Sequence, residues 1–161
     1  MPLALAPLVA TFGCAARGWF AKAPPEKVLS LHEIVYQAID GERLTVLVPQ
    51  DLADVEIRVR RFPVLHSRQI EAMEVVRGHS APVALRLYLD HRGQRLWTQA
   101  QAEYMGRPLA LAVDGRILFV WTVPPLPRSG GVRSLVIDGP WDREEALEVA
   151  AQASRNYQLL N

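Results

Sequence analysis

The sequence predicts a protein of the α+β class, in which a mixed sheet carries one tight hairpin and helices pack on one face. Apolar and polar residues alternate along residues 55–59 and again along residues 83–89, which is the period of a half-buried strand. The dipeptide Asp114-Gly115 stands between two alternating apolar runs. Such a dipeptide is a strong hairpin signal, because a type I′ turn needs positive φ at both central residues. The predicted element order is β-α-β-α-β-β-β-α.

Length and charge limit the possible functions. A chain of 161 residues suits one domain with an appendage, and such a domain folds without disulfides or metals. The formal net charge of +1 provides no overall attraction to nucleic acid or to anionic lipid. Four histidines lie in different predicted elements without the spacing of metal ligands, and no cofactor motif is present. We therefore expect no cofactor, no metal and no nucleic-acid partner.

Residues 1–27 form an apolar leader followed by a linker that contains Pro24-Pro25. The run from Leu3 to Cys14 has about the length of the apolar core of a signal peptide and is shorter than the ~20 residues of a bilayer span. Cys14 ends the run at the place where a bacterial lipoprotein is cleaved and lipidated. We therefore expect a location in the cell envelope, periplasmic or lipid-anchored, and a cytoplasmic location is the alternative.

Residues 28–53 are predicted to form an N-terminal extension, and residues 54–157 the main domain. In the extension, Ser30 precedes Leu31, Ile34 and Val35, a helical spacing with Ser30 as N-cap. Residues 43–48 alternate and predict a short strand.

The main domain starts with the strand at residues 55–59. Ser67 is then predicted to cap a helix that turns Ile70 and Met73 inward and ends at Gly78. The strand at residues 83–89 follows.

A second helix is predicted to start after Asp90, to turn Trp97, Ala100 and Tyr104 inward, and to end at Gly106. After the hairpin, residues 134–137 predict a strand. Asp142 and Glu145 then form the capping box of the last helix.

A two-residue turn at Asp114 and Gly115 fixes the expected pairing of the hairpin strands, residues 109–113 and 116–123. The expected opposite residues are Val113 and Arg116, Leu111 and Leu118, Ala110 and Phe119, and Pro108 and Trp121. Both faces of this hairpin are apolar, so both must be covered.

The hairpin face that carries Phe119 and Trp121 has two possible coverings. Either the N-terminal extension folds over it, or it forms a partner-contact surface together with Pro124, Pro125 and Leu126, since aromatic side chains are enriched at binding hot spots.

The loop at residues 123–131 starts with stiff prolines and ends with Gly130 and Gly131, which permit positive φ. It is either a plain connector or a flap that holds a peptide. The glycines precede a strand, and no Lys-Ser or Lys-Thr pair follows them, so they do not form a phosphate-binding loop.

Residues 55–153 resemble the head subdomain of the first periplasmic domain of SecD, the protein-export membrane component. The segment from Met105 to Leu118, MGRPLALAVDGRIL, matches the family pattern vGrplAivlDGrvl. Further matches are Val64, Leu65, Ser67, Ile70 and Ala72, then Leu85, Leu87, Leu89 and Gly93, and finally Gly130, Gly131, Ile137, Gly139, Trp141, Glu144, Glu145, Ala146, Val149 and Ala150. The sequence departs from the family at Phe119, Val120 and Trp121, where the family has a small pair and proline.

This resemblance implies a head-like domain without the membrane helices of SecD, which contacts a protein partner or an exported polypeptide and is not an enzyme. A fold does not determine function by itself. The alternatives are a domain that binds a small molecule beside Trp121 and a hydrolase whose site is not recognisable from sequence, with Asp114, Asp138 and Asp142 as its obvious carboxylates. The sequence does not predict the oligomeric state.

Overall fold

Two antiparallel sheets, a two-stranded ribbon and two α-helices make up the described part of the chain. The computed structural model describes residues 23–37, 44–47, 56–125 and 133–161. The strands are β1 (Leu29–Glu33), β2 (Leu44–Leu47), β3 (Ile57–Arg60), β4 (Leu65–His66), β5 (Ile70–Val76), β6 (Ala84–Leu89), β7 (Pro108–Val113), β8 (Arg116–Thr122) and β9 (Ser134–Asp138). The helices are α1 (His91–Tyr104) and α2 (Arg143–Leu160), with a short 3-10 helix at Ser67–Gln69. The predicted α+β class is confirmed.

The strands form a four-stranded sheet in the order β4-β1-β7-β8, a three-stranded sheet in the order β5-β6-β9, and the ribbon β2-β3. Every strand pair among the described residues is antiparallel, so the expectation of a mixed sheet is wrong. Neither α-helix in the described ranges combines the length and the apolar character that a bilayer crossing requires.

The predicted helix after Ser30 is wrong, because this segment forms strand β1. Leu29 and Leu31 are buried, and β1 lies between β4 and β7 as an inner strand. Pairing on both sides satisfies the backbone groups that a helix would have satisfied locally, and it overrides the helical spacing. The start of the predicted N-terminal extension therefore belongs to the same sheet as the hairpin.

The predicted helix after Ser67 is also wrong beyond its first turn. The 3-10 helix ends at Gln69, and β5 pairs with β6 from Ile70 to Val76. Glu74 on the outer face of this pair lies opposite Arg86 and accepts a hydrogen bond from the Tyr88 hydroxyl at 2.8 Å. Glu74 therefore lies on the outer face of a sheet and not on a helix.

The remaining elements follow the prediction. Strands β2, β3, β6 and β9 lie within or beside the predicted ranges. The Asp90 carboxylate accepts from the Gly93 N–H at 2.6 Å at the start of α1. The Asp142 carboxylate accepts from the Glu144 and Glu145 N–H groups at the start of α2. These N-caps could be predicted from sequence because the capping residue and the helix that it starts are adjacent.

The hairpin turn is confirmed, with φ of 50° at Asp114 and 78° at Gly115. The pairing beyond it differs from the prediction, because a bulge makes Leu118 an extra residue. Ala112 still lies opposite Ile117, but Leu111 lies opposite Phe119 and Leu109 opposite Trp121. The bulge turns Phe119 and Trp121 onto the same face as Leu109 and Leu111.

The main core lies between the two sheets and the helices. It contains Leu31 and Leu111 from one sheet, Leu87 from the other, Trp97 from α1 and Val149 from α2. Trp121 belongs to this core as well. A smaller cluster covers the other face of the hairpin, where Val59 of β3 packs with Ala110 and Ile117.

Candidate functional site

An open groove of about 610 Å³ lies between the end of β8 and the strand β9. Its floor consists of Trp97, Gln101 and Trp121. One wall is formed by Thr122, Pro124 and Pro125, and the opposite wall by Ser134, Leu135 and Val136. The volume lies within the range of roughly 300–1,000 Å³ that is typical of ligand pockets.

Two tryptophans make the floor of the groove apolar. Trp97 is 1% exposed and Trp121 is 7% exposed, and their ring centroids lie 5.8 Å apart with the planes tilted by 31°. The bulge turns the Trp121 ring into the main core, so Trp121 lies opposite Leu109 and not opposite Pro108 as the two-residue turn predicted. Trp121 is a core side chain, and the edge of its ring borders the groove.

Phe119 belongs to β8 but does not line the groove. Its ring lies between β8 and the end of β9. Its half-buried ring meets Trp141 edge to face, with centroids 5.1 Å apart. A Cβ at Gly139 would overlap this ring, so the missing side chain of Gly139 lets the two sheets approach here. Phe119 therefore joins the sheets, and it is absent from the groove lining.

Gln101 holds one wall of the groove in place. Its amide nitrogen donates to the carbonyl oxygens of Pro124 and Pro125, both at 3.3 Å. The side chain is buried, with 3% of the residue exposed, and its Oε1 has no hydrogen-bond partner in the described structure. An unpaired buried acceptor costs about 1–3 kcal/mol. Sequence reasoning missed Gln101, because nothing in the pattern of α1 separates it from the solvated glutamines beside it.

The β9 wall of the groove is a free sheet edge. The Leu89 N–H donates to the Arg133 carbonyl at 3.1 Å, and residues 133, 135 and 137 therefore make the hydrogen-bonded pairs with β6. The N–H and C=O groups of Ser134 and Val136 consequently point away from β6. Among the described strands, β9 has no neighbour on that side.

Asp138 closes one end of the groove. Its carboxylate accepts from the His79 N–H at 3.0 Å and from the Ser80 N–H at 3.1 Å. Asp142 caps α2 and Asp114 accepts from the Val28 N–H at 2.8 Å. Each of the three carboxylates considered for hydrolysis thus holds backbone N–H groups. Within the described ranges, no group of three or more His, Cys, Asp or Glu side chains is arranged to bind a metal.

A polar cluster outside the groove joins two strands, a helix and the residue before β7 around Glu33. The Glu33 carboxylate accepts from the Tyr104 hydroxyl at 3.0 Å and from Arg60 Nε at 2.6 Å, and Arg107 lies 3.6 Å away. Burial, followed by the hydrogen bond to Glu33, raises the pKa of Tyr104 to about 12. These partners lie far apart in sequence, so no local pattern could predict the cluster. It fixes the end of α1 against β1 and β3.

The structure describes some of the predicted contact and loop residues and leaves others outside the described ranges. Pro124 and Pro125 are exposed at the groove rim. Leu126, Gly130, Gly131 and Cys14 lie outside the described residues, so the proposed flap and lipidation site stay predictions.

Two solved structures share the fold of this chain. One is described as the structure and function of a membrane component, SecDF, that enhances protein export; it has a TM-score of 0.54 and 17% identity, and the match covers 81% of this chain and 63% of that one. The other is a crystal structure of SecDF in a super-membrane-facing form, with a TM-score of 0.55 and 16% identity, and the match covers 81% of this chain and 19% of that one.

No protein-family model matches the sequence, and no curated protein matches it. This chain spans less than two thirds of either SecDF chain, and at 16–17% identity the likeness concerns the fold. The resemblance predicted from residues 55–153 is therefore confirmed at that level: the chain carries a SecDF-like fold.

Proposed function

We propose that this protein is a non-enzymatic binding domain that holds an unfolded or exported polypeptide segment in the groove between β8 and β9. The observation that carries the proposal is the combination of a buried tryptophan floor with a free strand edge in one groove. An apolar floor suits hydrophobic side chains, and free backbone groups suit a second backbone. The SecDF-like fold supports a role in protein export, because SecDF is described as enhancing that process.

In this proposal the groove binds the polypeptide, and no residue catalyses a reaction. Asp114, Asp138 and Asp142 each accept hydrogen bonds from backbone N–H groups, a structural role that accounts for these carboxylates without a catalytic step. We therefore assign no hydrolase activity.

Binding of a reduced and alkylated, permanently unfolded protein tests this function. Thr122 is an exposed groove residue near the end of β8, and Val120 is an exposed residue of the same strand outside the groove lining. We expect Thr122→Lys to weaken binding at least fivefold in fluorescence anisotropy, because it puts a charge beside the apolar floor. The matched variant Val120→Lys should bind like the unmodified chain. Equal binding by both variants, or no binding by any form, would contradict the proposal.

A second candidate is a small apolar molecule with an aromatic ring, which the volume of the groove favours. A ligand at a hundred times its Kd should stabilise the fold by roughly 2.7 kcal/mol. Thermal unfolding with a panel of aromatic compounds measures this directly. A rise in melting temperature that Thr122→Lys removes, together with no binding of unfolded protein, would favour this candidate.

We further propose a location in the cell envelope, with lipidation at Cys14 as its anchor. The proposal rests on the apolar run from Leu3 to Cys14 and on the SecDF-like fold. Cell fractionation and mass spectrometry of the mature N-terminus test it. A mature chain that begins at a lipid-modified Cys14 is expected, and an intact Met1 in the cytosolic fraction would contradict it.

A further inference from the structure

We propose that the polypeptide segment binds by adding a β-strand to the free edge of β9, so that its backbone is recognised through the outward N–H and C=O groups of Ser134 and Val136. This inference rests on the proposed function and specifies how the groove takes its occupant. The occupant is an extended segment with apolar side chains at alternate positions.

The hydrogen-bond pattern of β9 defines which backbone groups are available. The Leu89–Arg133 bond and the pairing of Leu87 with Leu135 use one set of β9 groups. The other set, at Ser134 and Val136, faces the groove and has no partner among the described residues. An unpaired row of this kind is a template for another strand.

The occupant is expected to have apolar side chains at alternate positions, because the two faces of β9 differ. Leu135 and Ile137 point into the main core, whereas Val136 is 37% exposed on the other face. A strand beside β9 continues both faces, because side chains alternate across a sheet. One set of its side chains therefore extends the core face toward Trp97 and Trp121, and the other set stays in solvent next to Val136.

Gln101 provides a second and independent indication of a ligand. It lines the same groove and is 3% exposed, and its Oε1 is the buried side-chain acceptor without a partner in the described structure. Such an atom is normally satisfied in a native protein. A donor group of the occupant at the groove floor would satisfy it.

Two N-methylated peptides test strand addition directly. The parent is an eight-residue peptide with valine at alternate positions and lysine or threonine between them. One version carries N-methyl groups on the valines, and the other carries them on the intervening residues. A strand at one sheet edge uses the N–H groups of alternate residues only. We expect one version to bind within twofold of the parent and the other at least tenfold more weakly.

Equal effects of the two methylation patterns would overturn strand addition. If they are equal while the unfolded protein still binds, the inference fails and the proposed function stands. If neither the parent peptide nor the unfolded protein binds, both fail.

The variant Val136→Pro tests the same edge from the protein side. The Val136 N–H lies outside the β6–β9 ladder, so proline there removes an outward donor without breaking a described hydrogen bond. We expect it to weaken binding of the parent peptide at least tenfold and to leave the far-UV circular dichroism unchanged. The matched control Val136→Ala keeps the N–H and should bind within twofold of the unmodified chain.

Equal binding by the two Val136 variants would overturn the proposal. So would a wild-type dimer that Val136→Pro converts to a monomer without peptide binding by either form, because the edge would then pair with a second copy of the chain. If Val136→Pro fails to fold, the N-methylated peptides alone decide.

Discussion

Asp114 has two roles at the hairpin turn. Its backbone adopts the left-handed conformation, with φ of 50°, and its carboxylate accepts from the N–H groups of Val28 at 2.8 Å and Lys27 at 3.1 Å. Its own N–H donates to the Val28 carbonyl at 2.9 Å. The first role could be predicted from the Asp-Gly pair. The second could not, because it depends on β1 lying beside β7.

Replacing Asp114 with alanine should therefore cost more than a normal surface substitution. Alanine is strained by ~1–2 kcal/mol in the left-handed conformation, and the lost carboxylate leaves two N–H groups of the β1 entry without their acceptor. We expect Asp114→Ala to lower the free energy of unfolding in urea by about 2–3 kcal/mol. Asp114→Asn, which tolerates this conformation and keeps an acceptor oxygen, should lose less than half as much. Equal losses in the two variants would contradict this explanation, because asparagine keeps both the tolerated conformation and an acceptor oxygen.

His32 joins β3 to the four-stranded sheet. One ring nitrogen, Nδ1, lies 3.0 Å from the Arg60 carbonyl, and the other, Nε2, lies 2.9 Å from the Ser30 hydroxyl. With Nδ1 donating to the carbonyl, the neutral ring accepts the hydroxyl proton at Nε2. Burial lowers the pKa of His32, and the Arg60 carbonyl opposes that shift in part. Burial, and then the charges of Arg68 and His32, also lower the pKa of His66.

The lowered histidine pKa values predict acid sensitivity. The unfolded chain binds a proton at these side chains near pH 6.5, whereas the folded chain does so only at lower pH. Their contribution to stability is thus fully present above pH 6.5 and is lost as the pH falls through the folded pKa. We expect the urea midpoint to fall between pH 7 and pH 5, and His32→Gln to reduce that fall. A wild-type slope in His32→Gln would contradict this explanation.

In strand β8, a single extra residue decides which side chains face the core. The bulge at Leu118 puts Phe119 and Trp121 on the core face. Turn chemistry alone predicted the opposite register. A bulge has no strong sequence signal, so the side of the sheet on which Trp121 lies depends on how the α1 face and the β9 strand pack around it.

Deleting Leu118 should remove the bulge and keep the rest of β8 in place, because Phe119 then follows Ile117 directly and still lies opposite Leu111, with Trp121 opposite Leu109. We therefore expect the deletion variant to keep the near-UV circular dichroism of its paired tryptophans and to lose about 1–2 kcal/mol of stability, since only the half-buried Leu118 side chain and the local twist change. Leu118→Ala keeps the bulge and removes only a half-buried side chain, so it should cost about 1–2 kcal/mol. A deletion variant that loses the near-UV signal would contradict the assignment of Leu118 as the extra residue of the bulge.

The two wrongly predicted helices share a physical cause. Residues 31–35 and 70–76 have apolar spacings that fit a helix and a strand nearly equally well. Strand β1 pairs with β7, 76 to 84 residues away in sequence, and β5 pairs with β6, 8 to 19 residues away. Non-local pairing decides such cases. The Asp90 cap and the Asp114-Gly115 turn could be predicted, because each depends on residues that are adjacent in sequence.

At the scale of the whole molecule, the groove depends on which sheet edges stay unpaired. The α+β class and the likeness to SecD were accessible from sequence, and three of the predicted contact residues, Trp121, Pro124 and Pro125, do lie together at the groove. The role of Ser134, Val136 and Gln101 was not accessible, since it requires the complete strand order.

Amide hydrogen exchange with and without the unfolded protein tests the binding groove most directly. We expect binding to slow exchange at residues 121–123 and 134–138, most strongly at Ser134 and Val136, whose N–H groups have no partner among the described residues, and to leave β3 unchanged. Protection confined to β3, or no protection at the β9 edge, would contradict the central claim that an extended polypeptide occupies this groove.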